Sequence, residues 1–480
     1  MESSSPIPIM KAILPKVPLM GKTAISHTLG LSENAKVWDL RTALTINVLR
    51  SLIVDWAITP ISKAQRTSLE APEIKGRIWI SKVTIPAPPT DRIRVSLFSA
   101  IESLKEPSDS PGGFLEPELL PVEAEWTGYR AGATKTSPQL RCSEEQKYKE
   151  MMKEVTSKTT VLYLHGGGYY LMDPATHRPT CKKLAKLTKG RCFSPRYRLA
   201  PQNPFPAALL DALVAYLTLL YPPPGSVHEP IEASNIVFAG DSAGGNLCLV
   251  LLQTVLELRR KDLKIEWYGE AIEVLAPAGI ALSSPWCDLT SSSPSCSKNG
   301  GYDYLPLMGD GVKEAPQPQP CVAWPAKPPR KMFYSEDAML CHPLVSPLSA
   351  RSWEGSPPIY MGCGTELLAD EAKCVAQFAA RQGVPVVFEE YQAMPHCFAM
   401  ILEALPASRL FFTRWSDFIM QVVEGKNQVE SKATFIRAKT LVEEKMDVGS
   451  LMGFSEEEVR TKMRRSGVMS GKHPDALAKL

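Results

Sequence analysis

The sequence predicts an α/β fold in which a mostly parallel central sheet carries helices on both faces. Three observations predict it. From Thr159 onward, apolar runs of strand length ("TTVLYL", "NIVFAG") alternate with stretches of helical period ("THRPTCKKLAKLTK", "GGNLCLVLLQTVLELRRK"), and that alternation builds parallel sheets. The runs are continuously apolar, as strands buried on both faces are. Two of them end in glycine-rich turns, "HGGGYY" and "GDSAGG".

Taken in chain order, residues 1–72 lean helical with proline-rich breaks and are expected to form an N-terminal cap. Within them, Ala43–Ile58 places Leu44, Val48, Leu49, Leu52, Ile53 and Trp56 at helical spacing. Arg50 and Asp55 interrupt this run, which is too short to span a bilayer; it predicts an amphipathic helix packed on the domain, with a helix lying on a membrane or over a pocket as the alternative. The first residues lack a continuous apolar core and a small-residue cleavage site, so no secretory signal is expected.

Residues 73–425 read as the catalytic domain. Val83–Ile85 and Ile93–Val95 read as two strands around the turn "PAPPTD". The stretch from about 101 to 150, with "EPSDSPGG", reads as a long surface loop or insertion. Further on, Leu209, Leu210, Leu213, Val214, Leu217 and Leu220 keep helical period. "AGIALSSPWCDLT" and "PPIYMGCG" are strands with their loops, "ADEAKCVAQFAARQG" is a helix closing on glycine, and "VPVVFEEYQAMPH" holds the last strand expected. The segment from about 297 to 335 is proline-rich and reads as an insertion over the sheet's C-terminal edge. Residues 426–480 form a charged tail, expected to hold short helices, with a capping-box pattern at Ser455 and Glu458. The terminal Ala478-Lys479-Leu480 resembles a peroxisomal address, which implies import by its receptor; the alternative is a cytoplasmic protein.

The 480 residues are 44% hydrophobic and carry 54 bases against 51 acids, a net charge of +3. A sizeable core is therefore available, and nothing in the balance points to nucleic acid. The eleven cysteines, among them Cys142, Cys181, Cys192, Cys248 and Cys287, are odd in number and form no C-x-x-C pair. They read as reduced, mostly buried thiols of an intracellular protein, with a secreted disulfide framework as the alternative.

The chemistry centres on Ser242. It lies between a strand and a helix within Gly240-Asp241-Ser242-Ala243-Gly244, the context of a nucleophile elbow. Small residues two positions either side let the backbone turn tightly, and the turn aims the Ala243 N–H at an incoming oxyanion. Upstream, a strand ends at His165, and Gly166, Gly167 and Gly168 leave backbone N–H groups unshielded; Gly166 and Gly167 are expected to complete the oxyanion hole with Ala243. His165 reads as a residue that orients this loop. A serine nucleophile needs a base, and the base an orienting acid. Of the histidines that follow Ser242, His342 sits in a proline-flanked loop and His473 in the tail. His396, in a loop after a strand, is the expected base. The acid is expected at Glu366, just past the preceding strand, with Asp370 as the alternative; an acid one turn into a helix also favours the helix dipole without any catalytic role.

At this point the order of "HGGGYY", "YRLAPQNPFPAALLDAL", "GDSAGGNL", "SPWCDL", "HPLVSPL" and "MPHCF" resembles that of the hormone-sensitive-lipase-like α/β-hydrolases, over about residues 155–425. The resemblance implies an α/β-hydrolase fold with an N-terminal cap and a Ser242–His396–Glu366 triad, where the family usually has aspartate at the acid position. It implies hydrolysis of a small or medium apolar ester through an acyl-enzyme, with no metal or organic cofactor. An acyltransferase sharing the acyl-enzyme, and a ligand-binding member without catalysis, are the alternatives. The length and charged tail resemble fungal members, several of which serve secondary metabolism.

Overall fold

The computed structural model describes residues 13–106, 113–309, 317–425 and 428–470. The tripeptide Ala478-Lys479-Leu480 and His473 lie outside the described residues. In chain order the strands are β1 Ile78–Ile85, β2 Val122–Tyr129, β3 Thr160–Leu164, β4 Arg191–Pro195, β5 Ile236–Asp241, β6 Ile265–Trp267, β7 Glu270–Ile272, β8 Gly279–Ser283, β9 Ile359–Gly364, β10 Val386–Tyr391, β11 Lys432–Ile436 and β12 Glu443–Met446. Ten of them make one sheet in the order β1-β2-β4-β3-β5-β8-β9-β10-β11-β12, and β6 pairs only with β7. The pairs β1–β2, β2–β4 and β11–β12 are antiparallel. The six pairs between them, from β4–β3 to β10–β11, are parallel.

The continuously apolar strands face two cores at once. In β3 and β5, Leu162, Leu164 and Phe238 enter the core on one face of the sheet, while Val161, Tyr163, Val237 and Ala239 enter the other. Strand side chains alternate between faces, so a strand covered on both sides has no polar face to show. The helices Ala207–Leu220 and Ala243–Arg260 cover the first face; Pro174–Thr188 and Pro406–Glu424 cover the second. Every residue of Ala207–Leu220 is buried, and each leucine so buried contributes roughly 1.5–3 kcal/mol.

Three expectations are corrected. Ile93–Val95 is not strand: Arg92–Leu104 is a helix that buries Ile93, Leu97, Ala100 and Ile101. Their helical spacing overrides the β-branched cluster. The stretch 101–150 is not merely a loop, since it supplies β2, inside the sheet, and the helix Glu144–Met152. Glutamates hide β2 in the sequence; Glu125 is buried because Arg178 forms a bidentate pair with it at 2.5 and 2.8 Å. The tail is only partly helical. β11 extends the sheet beside β10 and β12 closes it, while Ser455 and Glu458 do form the reciprocal cap before Glu456–Ser470.

The N-terminal helices Val17–Thr28, Leu40–Ala57 and Ile61–Ser68 sit against the sheet's C-terminal edge. Trp38 Nε1 donates to the Ala393 carbonyl at 2.6 Å, and Gln65 Nε2 to those of Tyr170 and Ala200. The helix Leu40–Ala57 buries Thr42, Ala43 and Ile46, a narrower face than the expected stripe, whose Trp56 stays 40% exposed. No helix among the described residues is long and apolar enough to cross a membrane. No disulfide joins any of the cysteines among the described residues, and most of them are buried.

Candidate active site

The register sets the carboxyl ends of four parallel strands side by side: Asp241 opposes Ser283, Ser283 opposes Gly362, and Gly364 opposes Tyr391. Whatever follows β5, β8, β9 and β10 therefore meets at one edge, where open α/β sheets bind ligands.

After β5 the chain turns through Ser242, at φ 52° and ψ −122°, directly into the helix Ala243–Arg260. A left-handed φ at a residue with a side chain costs on the order of 1–3 kcal/mol and persists only where the surroundings enforce it. Here the Ser242 N–H donates to Ser283 O at 3.1 Å, and its carbonyl accepts from Asn246 and Trp286, each at 3.0 Å. Glycine is needed at 244 because a Cβ there would overlap the carbonyls of Leu164 and His165 at the end of β3.

The loop after β3 lies against this elbow. The Gly166 N–H donates to Asp241 Oδ1 at 3.2 Å, which corrects its expected place in the oxyanion hole: that donor is already committed. Among the described residues, the N–H groups of Gly167, Gly168 and Ala243 have no protein partner. Gly167 takes φ 110°, and a Cβ on it would overlap the Leu171 carbonyl. Ala243 is the first residue of its helix, where the N–H groups and the dipole favour negative charge.

Asp241 organises this side. It also accepts from Tyr163 Oη at 2.7 Å and pairs with His177 Nε2 at 3.3 Å. Burial alone would raise its carboxyl, but His177 and Tyr163 outweigh burial and hold it below the ordinary range. Conversely, burial would depress His177, and Asp241 raises it instead. His165 stacks on Tyr197 at 4.2 Å between ring centroids, and its Nδ1 lies 2.8 Å from Gly166 O. Burial first, then the neighbouring His177, push its pKa down to about 3; it is a neutral brace for the loop.

On the other side, His396 Nδ1 and Glu366 Oε1 are 2.9 Å apart. Glu366, fully buried, accepts through Oε2 from Ser284 Oγ at 2.8 Å and from the Gly364 N–H at 3.1 Å. Burial raises the Glu366 carboxyl, against the pull of His396. Burial works against a charged imidazole at His396, yet the adjoining Cys397 sulfur and Glu366 carboxylate outweigh it, and the His396 pKa is raised. With Nδ1 engaged by Glu366, Nε2 is the ring nitrogen left for other chemistry. No hydrogen bond joins Ser242 Oγ to His396 among the described residues; in unliganded sites such contacts tighten as substrate binds.

Asp370 is not brought to His396. Its carboxylate accepts from the Ser295 N–H at 3.0 Å and lies 3.6 Å from Lys373. His342 spans Ile101 O and the Leu344 N–H, and burial lowers its pKa to about 4.

The sequence reading missed Ser284, His177 and Asp303. Asp303 belongs to the proline-rich segment, yet its Oδ1 accepts from the His396 N–H at 3.3 Å and its Oδ2 from the Leu367 N–H at 2.9 Å. Arg50 of the cap in turn donates to the Asp303 carbonyl. A buried carboxylate thus ties the loops of Glu366 and His396 to each other and, through Arg50, to the cap. Only the aspartate itself, in "GYDYL", could have signalled this.

A family model described as the alpha/beta hydrolase fold matches residues 161–400, a span that runs from β3 past His396. The chain belongs to the α/β-hydrolase family. This α/β-hydrolase is 30% identical over 284 residues to an acetyl-hydrolase of Streptomyces hygroscopicus, covering 58% of this chain and 76% of that protein. It is 27% identical over 264 residues to an esterase of Acinetobacter venetianus, covering 54% and 74%. Among solved structures, it resembles the crystal structure of EstE5 with a TM-score of 0.50 at 21% identity, over 79% of this chain and 99% of that one, a likeness of fold.

Proposed function

We propose that this α/β-hydrolase cleaves a carboxylic ester of a small or medium apolar molecule through an acyl-enzyme on Ser242. The observation that carries this reading is the buried Glu366–His396 hydrogen bond. It lies at the strand edge that also holds the Ser242 elbow and three unpaired backbone donors. The relatives named acetyl-hydrolase and esterase support an ester carbonyl as the target.

Ser242 Oγ attacks the carbonyl carbon while His396 Nε2 takes the hydroxyl proton. The Gly167, Gly168 and Ala243 N–H groups stabilise the oxyanion, each such donor being worth about 10²–10³ in rate. The tetrahedral intermediate collapses, the C–O bond to the alcohol breaks, and His396 protonates the departing oxygen. Water then attacks the acyl-enzyme with His396 again as base; the carboxylic acid leaves, and the proton returns to Ser242. Throughout, Glu366 holds the imidazole tautomer and stabilises its charged form. Aspartate usually occupies this position in the family the sequence resembles; a glutamate serves because its second oxygen is pinned by Ser284 and Gly364.

Labelling with a fluorophosphonate probe tests the assignment. Wild type should label and hydrolyse a short p-nitrophenyl ester, and Ser242→Ala should do neither. Labelling retained in Ser242→Ala would overturn it.

A further inference from the structure

Three loops that meet at the site each hold a residue with a side chain in the left-handed region. Ser242 after β5, Ser284 after β8 and Cys397 past β10 take φ 52°, 47° and 50°. Backbone of this kind persists only where the surroundings enforce it, and it gathers at functional sites. The elbow accounts for Ser242. Ser284 is 1% exposed and takes no part in acyl transfer, yet it holds the same conformation.

Its backbone is pinned to the neighbouring strand, where the Ser284 N–H donates to Gly362 O at 2.8 Å. The turn sends its hydroxyl toward two other loops at once. Ser284 Oγ lies 2.8 Å from Glu366 Oε2, in the loop after β9, and 3.0 Å from the backbone nitrogen of Cys397, the residue after His396. Among the described residues, no other side chain hydrogen-bonds both the carboxylate of the acid and the backbone of the base's loop. Asp303 braces the same two loops, but through the His396 and Leu367 N–H groups alone.

Donor and acceptor roles here are forced. The Cys397 N–H can only donate, so Ser284 Oγ accepts from it and turns its own proton to Glu366. Glu366 Oε2 therefore accepts from both the Ser284 hydroxyl and the Gly364 N–H, while Oε1 faces His396 Nδ1. Hydrogen bonds of this kind favour the ionised carboxylate, and they oppose the burial that raises it.

We propose that Ser284 is a positioning residue of the acyl cycle, whose hydroxyl couples the Glu366 carboxylate to the loop that carries His396, so that acid and base hold one geometry. The inference rests on the Ser242–His396–Glu366 reading of the site. Loss of the hydroxyl frees Oε2, and with it the imidazole, while the oxyanion donors stay in place.

The test compares Ser284→Ala with Ser284→Gly in the full-length protein, on a short p-nitrophenyl ester. Both remove the hydroxyl, but only glycine also relieves the left-handed backbone. A loss caused by strain would separate the two variants; a loss caused by the missing hydroxyl would not. Both should lower kcat by about 10–10²-fold with KM within about twofold. In a Glu366→Ala background, Ser284→Gly should cost less than about twofold more, because the carboxylate it acts through is gone. Glu366→Asp reads the same contact with residue 284 untouched. A side chain one methylene shorter cannot span Ser284 and His396 from the same backbone, so kcat should fall at least about tenfold. The inference is overturned if Ser284→Gly keeps the wild-type kcat, if its loss multiplies with that of Glu366→Ala, or if Glu366→Asp is fully active. Any of these with Ser242→Ala inactive would leave the ester-hydrolase reading standing. Hydrolysis or fluorophosphonate labelling retained in Ser242→Ala, or absent from wild type, would remove both.

Discussion

Two buried histidine–carboxylate pairs flank Ser242, and they are built differently. On the β3–β5 side, His177 spends both ring nitrogens: Nε2 faces Asp241, and Nδ1 lies 2.9 Å from Thr176 Oγ1. On the β9–β10 side, His396 spends Nδ1 on Glu366, and its other polar neighbour at the ring is the adjoining Cys397 sulfur rather than a carboxylate or hydroxyl. The first pair can position but has no nitrogen left to exchange a proton with substrate. The second keeps one. On the proposed mechanism the same two functional groups serve as a strut in one place and as an acid–base device in the other, and the difference lies in the ring nitrogen that neither a carboxylate nor a hydroxyl takes up.

The sharpest test of this contrast is to remove each imidazole. His396→Ala should lower kcat by about 10⁴-fold or more with little change in KM, whereas His177→Ala should cost roughly 10²-fold, through a displaced oxyanion loop. Equal losses would erase the distinction. Next come the carboxylates. Glu366→Ala should cost about 10³–10⁴-fold in kcat, and Asp370→Ala should cost far less, because its carboxylate holds Ser295 and Lys373 rather than His396; the reverse order would move the acid to Asp370. Asp303→Ala, which frees the loops of both Glu366 and His396, should lower kcat by about tenfold while sparing fluorophosphonate labelling of Ser242 at long times.

The smallest effects are in pH. The base must be neutral to act, and the His396 pKa is raised above 6.5, so kcat/KM should fall off below a pH higher than an ordinary histidine would give. The Asp241–His177 pair should show itself in stability instead. Asp241 is depressed below 3.8, so its contribution is complete above that pH and is lost as pH falls through the lower folded value. His177 is raised above 6.5, so its contribution is complete below that pH and is lost as pH rises through the folded value. The melting difference between wild type and His177→Gln should therefore be widest between these limits and narrow toward alkaline pH.

Much of this was legible because it is local. The elbow needs small residues at fixed offsets, so Gly240, Ser242 and Gly244 announce it. His396 and Glu366 follow strands whose apolar runs are unmistakable. What stayed hidden depends on partners distant in sequence. β2 carries glutamates that only Arg178 makes tolerable inside the sheet. Asp303 looks like a loop residue until the chain folds it under His396. Gly166 read as an oxyanion donor because nothing in the sequence shows that Asp241 takes its N–H. The helix at Arg92 was misread because the β-branched Ile93 and Val95, alternating around Arg94, outweighed a helical period that shows only over a longer window.

The position of β11 has a consequence in time. β10 delivers His396, and its outer edge pairs with Lys432–Ile436, which the ribosome adds some forty residues later. Until that segment emerges, the strand behind the base presents a row of open donors and acceptors, the arrangement that recruits foreign strands. A chain cut at residue 425 would keep every residue assigned to chemistry and yet expose that edge permanently. In the folded protein β11 and β12 cover that edge, and trimming the tail should show first in aggregation during synthesis rather than in turnover by the molecules that survive.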